Sequence, residues 1–235
     1  MAAALLSRQA RVASTQDLIH ALGDAGAPTG SAVVAEEQVG GRGSRGRTWA
    51  SPPGGLWMSV LCRPASEAAA SVLSLRVGLA AAGVLEALAP GTPLALKWPN
   101  DLMLADRKLG GILCEARWQG SRLAWVAVGL GLNVANPLPD EVRHRAVTLA
   151  SVAPGLAPDA LAEPLRAAIA AAGAATGPLT PEEVARYVAR DWMHGRGLAE
   201  PATGTGAGLA PDGALLVRGA DGLITAVRSG TVLVA

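Results

Sequence analysis

At 235 residues, half of them hydrophobic and 17% charged, the chain has enough apolar side chain for one sizeable core with a small appendage, which excludes global disorder. The 20 Lys and Arg residues against 19 Asp and Glu leave a formal charge of +1, far from the strongly basic balance of a protein that coats DNA or RNA. Phe is absent and Tyr187 is the only tyrosine, so Ala, Leu and Val must carry the packing, with six tryptophans as the large exceptions.

The opening stretch MAAALLSRQARVAS lacks a basic start followed by a sustained apolar run, so no signal peptide is expected. Ser14-Thr15-Gln16-Asp17 then reads as a capping box opening a short amphipathic helix through Leu18, Ile19 and Leu22, closed by Gly23 and Gly26. The β-branched run from Ser31 to Glu37 predicts a strand that delivers the chain into GGRGSRGRTW at residues 40–49, and Leu56 to Cys62 predicts a second strand beyond it. Glu67 to Leu88 is the longest helical pattern, with Leu73, Val77, Ala80, Val84 and Leu88 on one face. Leu94 to Trp98, Leu102 to Leu104, Lys108 to Arg117 and Arg122 to Val134 follow as four strand-like segments, and a helix followed by such a meander predicts an α+β fold on a mixed sheet. Pro158 to Ala172 and Pro181 to Met193 read as helices that begin with an early proline.

From Gly195 to Gly208 the composition shifts to Gly, Ala and Thr and reads as a linker or a loop, and short β segments follow at Gly213 to Arg218, Gly222 to Arg228 and Thr231 to Val234. The predicted organisation is a body over 1–194 and a small β unit over 195–235, too short to stand alone and so expected to lean on the body. The longest charge-free apolar run, Leu123 to Pro139, contains Asn133, Asn136 and Pro137 and falls short of a membrane span. Cys62 and Cys114 sit in apolar runs without a CxxC and read as buried free thiols of a reducing compartment. A soluble, cytoplasmic protein is the expectation.

Three segments carry chemistry. In GGRGSRGRTW the glycines free the backbone to approach an anion, while Arg42, Arg45 and Arg47 supply forked donors suited to phosphate oxygens. RG-rich segments also bind RNA or simply hydrate, and the near-zero net charge turns the reading toward one compact anionic ligand. In KWPND, Pro99 forces Trp98 to be extended, so that Lys97, Asn100 and Asp101 cluster at a bend at the sheet edge. With Lys108 and the paired glycines of KLGGIL, the set can neutralise an acyl phosphate and orient an attacking amine, although Pro-Asn-Asp is also an ordinary turn. In VAVGLGLNV, period two sends Val126, Val128, Leu130, Leu132 and Val134 one way and Ala127, Gly129, Gly131 and Asn133 the other. The second face is bare backbone on which a flat ring can lie; a glycine-weakened strand with a bulge is the plainer alternative.

Taken together, these segments resemble the biotin protein ligase family, in its short form without a DNA-binding domain. The matches run in order: Ser14-Thr15 for the family's S-T-N, Glu37-Gln38, GRGSRGRTW for G-R-G-R-x-G-R-x-W, KWPNDLML with KLGGIL, and GLGLNV for G-x-G-x-N-V. The resemblance implies the family's class II aminoacyl-tRNA synthetase-like catalytic fold with an SH3-like β-barrel at the C-terminus. It implies that Ser14, Thr15, Gln16 and Gln38 contact the ureido end of biotin, with Arg42, Gly43 and Ser44 closing over it and Gly111 beside it. It further implies that Lys108 binds the biotin carboxyl and then the adenylate, that Arg45, Arg47, Trp49 and Asn100 order around the nucleotide, and that Asn133 reads adenine. Lys108, Lys97, Asp101 and Arg42 are the implied catalytic set, with Lys97 and Asp101 where an acceptor lysine attacks. Two departures stand out: Gln16 replaces the family's Asn, and Ser44 stands where many members have Arg.

The implied activity joins biotin to a lysine of a biotin carboxyl carrier protein, of acetyl-CoA carboxylase or a related biotin enzyme, through biotinyl-5'-AMP. Its implied small molecules are ATP, biotin and Mg²⁺, and its implied state is monomer or homodimer. The family's repressors carry a winged helix-turn-helix of about sixty residues, and only 13 residues precede Ser14, so DNA binding is not expected. The competing readings are a lipoate ligase or octanoyl transferase on a related fold, and a noncatalytic RNA-binding module.

Overall fold

The structure, a computed structural model, describes residues 3–235. Its body is a seven-stranded sheet built from β1 (Leu6–Val12), β2 (Ala32–Gln38), β3 (Leu56–Cys62), β4 (Leu94–Lys97), β5 (Asp101–Leu104), β6 (Arg107–Gln119) and β7 (Arg122–Leu132), in the order β1-β2-β3-β7-β6-β5-β4. Only β1 and β2 run parallel, so the sheet is mixed, as predicted. β1 was not anticipated, because its sequence LSRQARV has one weakly alternating apolar face and lies on the sheet edge.

The helices divide the sheet into two unequal faces. On one side α3 (Leu73–Leu88) and α4 (Pro158–Ala174) bury Leu73, Val77, Leu85, Leu161, Leu165 and Ile169 against Val60, Val126, Val128 and Leu130. Each such side chain contributes about 1.5–3 kcal/mol on burial, so this layer dominates stability. On the other side the short α1 (Thr15–Asp24) packs Ile19 against Val33, Leu61, Trp125 and Ala127. Gly23 permits this contact, since a Cβ there would lie 2.6 Å from the Trp125 ring. α1 covers only part of its face: its Gln16 side chain lies against Gly129, and Gly131 lies beyond it, against Trp49.

The long helix expected over Glu67–Leu88 is broken at Val72 into α2 (Glu67–Ser71), capped by Ser66, and α3. Its buried surface is also wider than one stripe: Leu75, Leu79 and Ala82 are buried as well, while Leu88 is exposed. The cause is that α3 packs on the sheet and on α4 at once, with Leu75 also against Gly213 of the C-terminal segment, neighbours that single-helix periodicity does not report. The helix expected to reach Met193 is α5 (Pro181–Val188), opened by a reciprocal capping box between Thr180 and Glu183. Arg76 of α3, 4% exposed, grips Glu183 through Nε at 2.6 Å and one terminal nitrogen at 3.0 Å, and also donates to Pro178 O at 2.9 Å. That contact holds the Glu183 carboxyl below the usual range.

The stretch read as a linker is instead structured. It holds β8 (Gly197–Glu200) and β9 (Gly204–Leu209), which with β10 (Leu215–Arg218), β11 (Ile224–Val227) and β12 (Leu233–Val234) form a five-stranded antiparallel sheet, β11-β10-β9-β8-β12. Glycine-rich composition conceals these strands because the close approaches demand glycine: a Cβ on Gly206 would lie 2.2 Å from Met193 O. The sheet does lean on the body. Leu209, Leu215, Val217 and Val232 belong to the main apolar cluster, and the Trp98 indole donates to Gly213 O at 2.9 Å.

Candidate active site

A cavity of about 600 Å³ opens beside the N-terminus of α1, floored by β3, β6 and β7. Of the residues singled out from the sequence, Ser14, Thr15, Gln16, Gln38, Arg42, Gly43, Ser44, Arg47, Trp49, Lys97, Asn100, Asp101, Lys108, Gly111 and Asn133 all line it. Arg45 does not: it stands in the left-handed region, φ 61°, and its guanidinium reaches Thr231 of the C-terminal sheet.

The closed end of the cavity is a buried polar network. Ser14 caps α1 by accepting from the Gln16 N–H at 3.3 Å, without the reciprocal side-chain bond of a full capping box. Thr15 donates its N–H to Gln38 Oε1 at 2.9 Å, and its hydroxyl lies 3.0 Å from the same oxygen and 2.7 Å from Ser59 Oγ. Gln38 in turn donates to Ser51 Oγ at 2.9 Å. Gln16 donates to Leu113 O at 3.2 Å and Ala127 O at 3.4 Å, but its Oε1 is buried without a partner among the described residues. An acceptor left open at the end of a cavity suits a ligand N–H.

Residues 40–49 fold over this end as a flap. Gly43 N–H donates to Arg47 O at 2.7 Å and Trp49 N–H to Gly41 O at 2.9 Å, and a Cβ on Gly41 would lie 2.4 Å from Trp49 O. Arg42 pins the flap stem to the body, donating to Asp17 at 2.8 Å and to both Glu115 oxygens at 3.3 Å. Arg47 is held by Ser44, at 3.1 Å from its carbonyl and 2.8 Å from its hydroxyl.

The bend between β4 and β5 lies at the sheet edge, as expected, with Lys97 paired across from Asp101. Asn100 is committed to the backbone: its amide donates to Ile112 O at 2.7 Å, which ties the bend to β6. Lys108 Nζ lies 2.6 Å from Asp101 Oδ1 and 5.0 Å over the Trp49 ring. Lys97 is half-buried, and desolvation lowers its pKa, opposed by the charge of Asp101. The glycine face of β7 behaves as period two requires: Val126, Val128, Leu130 and Leu132 enter the main core, while the Trp49 indole lies against Gly131, 2.6 Å from where a Cβ would stand. Asn133, buried at the strand's end, accepts from Asn136 at 3.2 Å.

Several cavity residues were not anticipated: Ser59, Asp106, Arg145, Trp192 and the Thr231–Leu233 segment. Ser59 interrupts an apolar strand, a polar residue in a core run, which is a readable signal. The others arrive from distant segments and leave no local pattern. No group of three His, Cys, Asp or Glu residues placed to hold a metal occurs among the described residues. Cys62 is buried and Cys114 half-buried, and burial pushes both thiols up to about 12. No helix among the described residues is long and apolar enough to cross a membrane.

A mixed sheet thus carries a polar pocket beneath a glycine- and arginine-bearing flap, facing a lysine pair. Residues 9–133 match the Biotin/lipoate A/B protein ligase family, and the chain belongs to that family. It is 38% identical over 148 residues to the bifunctional ligase/repressor BirA of Bacillus subtilis, and 44% identical over 110 residues to the biotin--[acetyl-CoA-carboxylase] ligase of Paracoccus denitrificans. These matches take in 60% and 46% of this chain but only 45% and 46% of the relatives, so the chain spans about half the length of the curated relatives it matches. The biotin protein ligase from Aquifex aeolicus, solved in complex with biotin and ATP, superposes over 98% of this chain and 99% of its own, with a TM-score of 0.82 and 26% identity. The fold is therefore the biotin ligase catalytic fold followed by a second, antiparallel sheet.

Proposed function

We propose that the protein is an ATP-dependent biotin--[biotin carboxyl-carrier protein] ligase. The observation that carries this reading is the convergence, in one cavity, of a buried amide-and-hydroxyl network at one end, the Lys108–Asp101 pair at the middle and the Gly129/Gly131 face along the floor. Ser14, Thr15, Gln16 and Gln38 take the ureido group, whose N–H suits the open Gln16 Oε1. Gly43, Ser44 and Gly111 enclose the ring system, and Lys108 meets the carboxylate. Arg47, Trp49, Asn100 and Asn133 lie along the wall that takes the nucleotide.

A carboxylate is a poor acyl donor, so its oxygen attacks the α-phosphorus of ATP and pyrophosphate leaves with the electron pair of the broken P–O bond. Lys108 offsets the charge of the incoming carboxylate, and Arg47 adds its charge on the flap. In the second step a neutral lysine amine of the carrier domain attacks the acyl carbon. The C–N bond forms, the C–O bond to phosphate breaks, AMP departs with that electron pair, and the nitrogen gives up a proton to solvent. Lys97 and Asp101 stand at the site of attack, and Arg42, paired with two carboxylates, holds the flap stem in place for both steps. Mg²⁺ fits as an ion carried on the triphosphate, since it keeps several waters and needs only one or two protein carboxylates; Asp101 and Asp106 line the cavity.

The acceptor is the carrier domain of acetyl-CoA carboxylase or a related biotin enzyme, and the protein works in the cytoplasm as a monomer or a homodimer. Residues 195–235 are the counterpart of the family's SH3-like unit, and 1–194 the catalytic domain. Pyrophosphate release with biotin and ATP, repeated with lipoate, tests the assignment. Release that requires biotin supports it, release with lipoate alone transfers the protein to the lipoate branch, and none with either refutes it.

A further inference from the structure

Trp192 lies in the connection between α5 and β8, far in sequence from every motif described above, yet it lines the cavity. Its backbone N–H donates to Leu96 O at 3.0 Å, next to Lys97. Its indole N–H donates to Asp106 at 2.7 Å, and the Arg196 guanidinium, itself 2.6 Å from Asp106, sits 4.2 Å over the ring. Three attachments from three segments therefore fix the plane of the indole. Lys97 Nζ rests 4.9 Å from the ring centroid.

The two cavity lysines are held in different ways. Lys108 is neutralised by direct contact with Asp101, whereas no carboxylate among the described residues forms an ion pair with Lys97. A ring face attracts an ammonium through its quadrupole without cancelling its charge. Lys97 thus stands beside the bend without a contact ion pair, against a ring face fixed by Asp106 and Arg196.

We propose that Trp192 is a positioning residue that holds the Lys97 ammonium where it meets the phosphate of the departing AMP during transfer to the carrier lysine. This rests on the ligase reading above and deepens it. Asp106 and Arg196 serve the same end by fixing the indole. The fixed ring makes the segment just before the second sheet a working part of the catalytic cavity.

The test is single-turnover transfer from preformed biotinyl-5'-AMP to a biotin carboxyl carrier domain, with Trp192→Leu, Trp192→Phe, Lys97→Met and the Trp192→Leu/Lys97→Met double variant of the full chain. Trp192→Leu is expected to slow transfer about tenfold in the otherwise native protein, with most of the rate kept by Trp192→Phe, which retains a ring face. In the Lys97→Met background Trp192→Leu is expected to cost less than twofold, because its effect runs through the ammonium. A full, additive loss in that background, an effect below twofold in the native background, or a Phe variant as slow as Leu overturns the proposal. Failure of the native protein to release pyrophosphate from biotin and ATP would instead sink the ligase reading, so the two failures are told apart.

Discussion

Lys108 offers the sharpest test of how the cavity works. Its ammonium is 2.6 Å from Asp101, and its stem lies 3.4 Å from the Cβ position of Gly111, in a wall that excludes much of the solvent. Lys108→Met keeps most of the stem and removes the charge. Two unit charges about 4 Å apart interact by about 4 kcal/mol at an effective dielectric constant of about 20. Removing one donor preorganised for developing charge typically costs about 2.7–4 kcal/mol, or 10²–10³ in kcat. The two figures agree, and the substitution also leaves the Asp101 carboxylate facing an incoming carboxylate. Pyrophosphate release at saturating biotin and ATP should therefore fall about 100- to 1000-fold. Adding Asp101→Asn should recover part of the loss, because an uncompensated charge is removed. Release by Lys108→Met within about fivefold of the native rate would refute the assignment of Lys108 to the reacting carboxylate.

Ser44→Arg places a forked donor on the flap and should slow the escape of biotinyl-5'-AMP, measured by chase of labelled adenylate; equal release rates would remove the idea. Gly131→Val puts a branched side chain where the Trp49 indole lies, 2.6 Å from the Cβ position, and should weaken ATP binding about tenfold by calorimetry, with unchanged affinity as the contrary result. Arg76→Met removes the charged partner of the half-buried Glu183 carboxylate, which keeps its bond from the Thr180 N–H, and should cost about 1.5–3 kcal/mol. At roughly 2–4 °C per kcal/mol for a chain of this size, the melting temperature should drop by roughly 3–12 °C, and a drop below about 2 °C would count against the pair. Because Arg76 holds the Glu183 pKa below its unfolded value, the contribution is complete above about pH 4.3 and is lost as pH falls through the lower folded value. Stability of Arg76→Met should accordingly vary less than the native stability below about pH 4.3, as read by urea unfolding, and parallel curves would contradict the linkage.

The chain by itself determined what depends on local periodicity and on turn chemistry. The Val126–Leu132 alternation specifies which face of β7 enters the core, because period two leaves no other arrangement once one side is apolar. Pro99 and the glycine pairs specify the bend and the close approaches, so that Lys97, Asp101, Lys108 and Gly111, which line one cavity, are legible as neighbours in the sequence itself. The tertiary structure decided what depends on a partner from far along the chain. Glycine-rich β8 and β9 read as a linker because their close fit to the body, Gly206 against Met193 O, appears only when both segments are in place. The breadth of the buried face of α3 likewise comes from packing on the sheet and on α4 together, and Arg45 turns outward to Thr231 of the C-terminal segment. Trp192 is the clearest case: an aromatic residue in an unremarkable connection acquires a role only because backbone pairing with Leu96 sets its ring beside Lys97, a contact between residues 95 positions apart that no local pattern encodes.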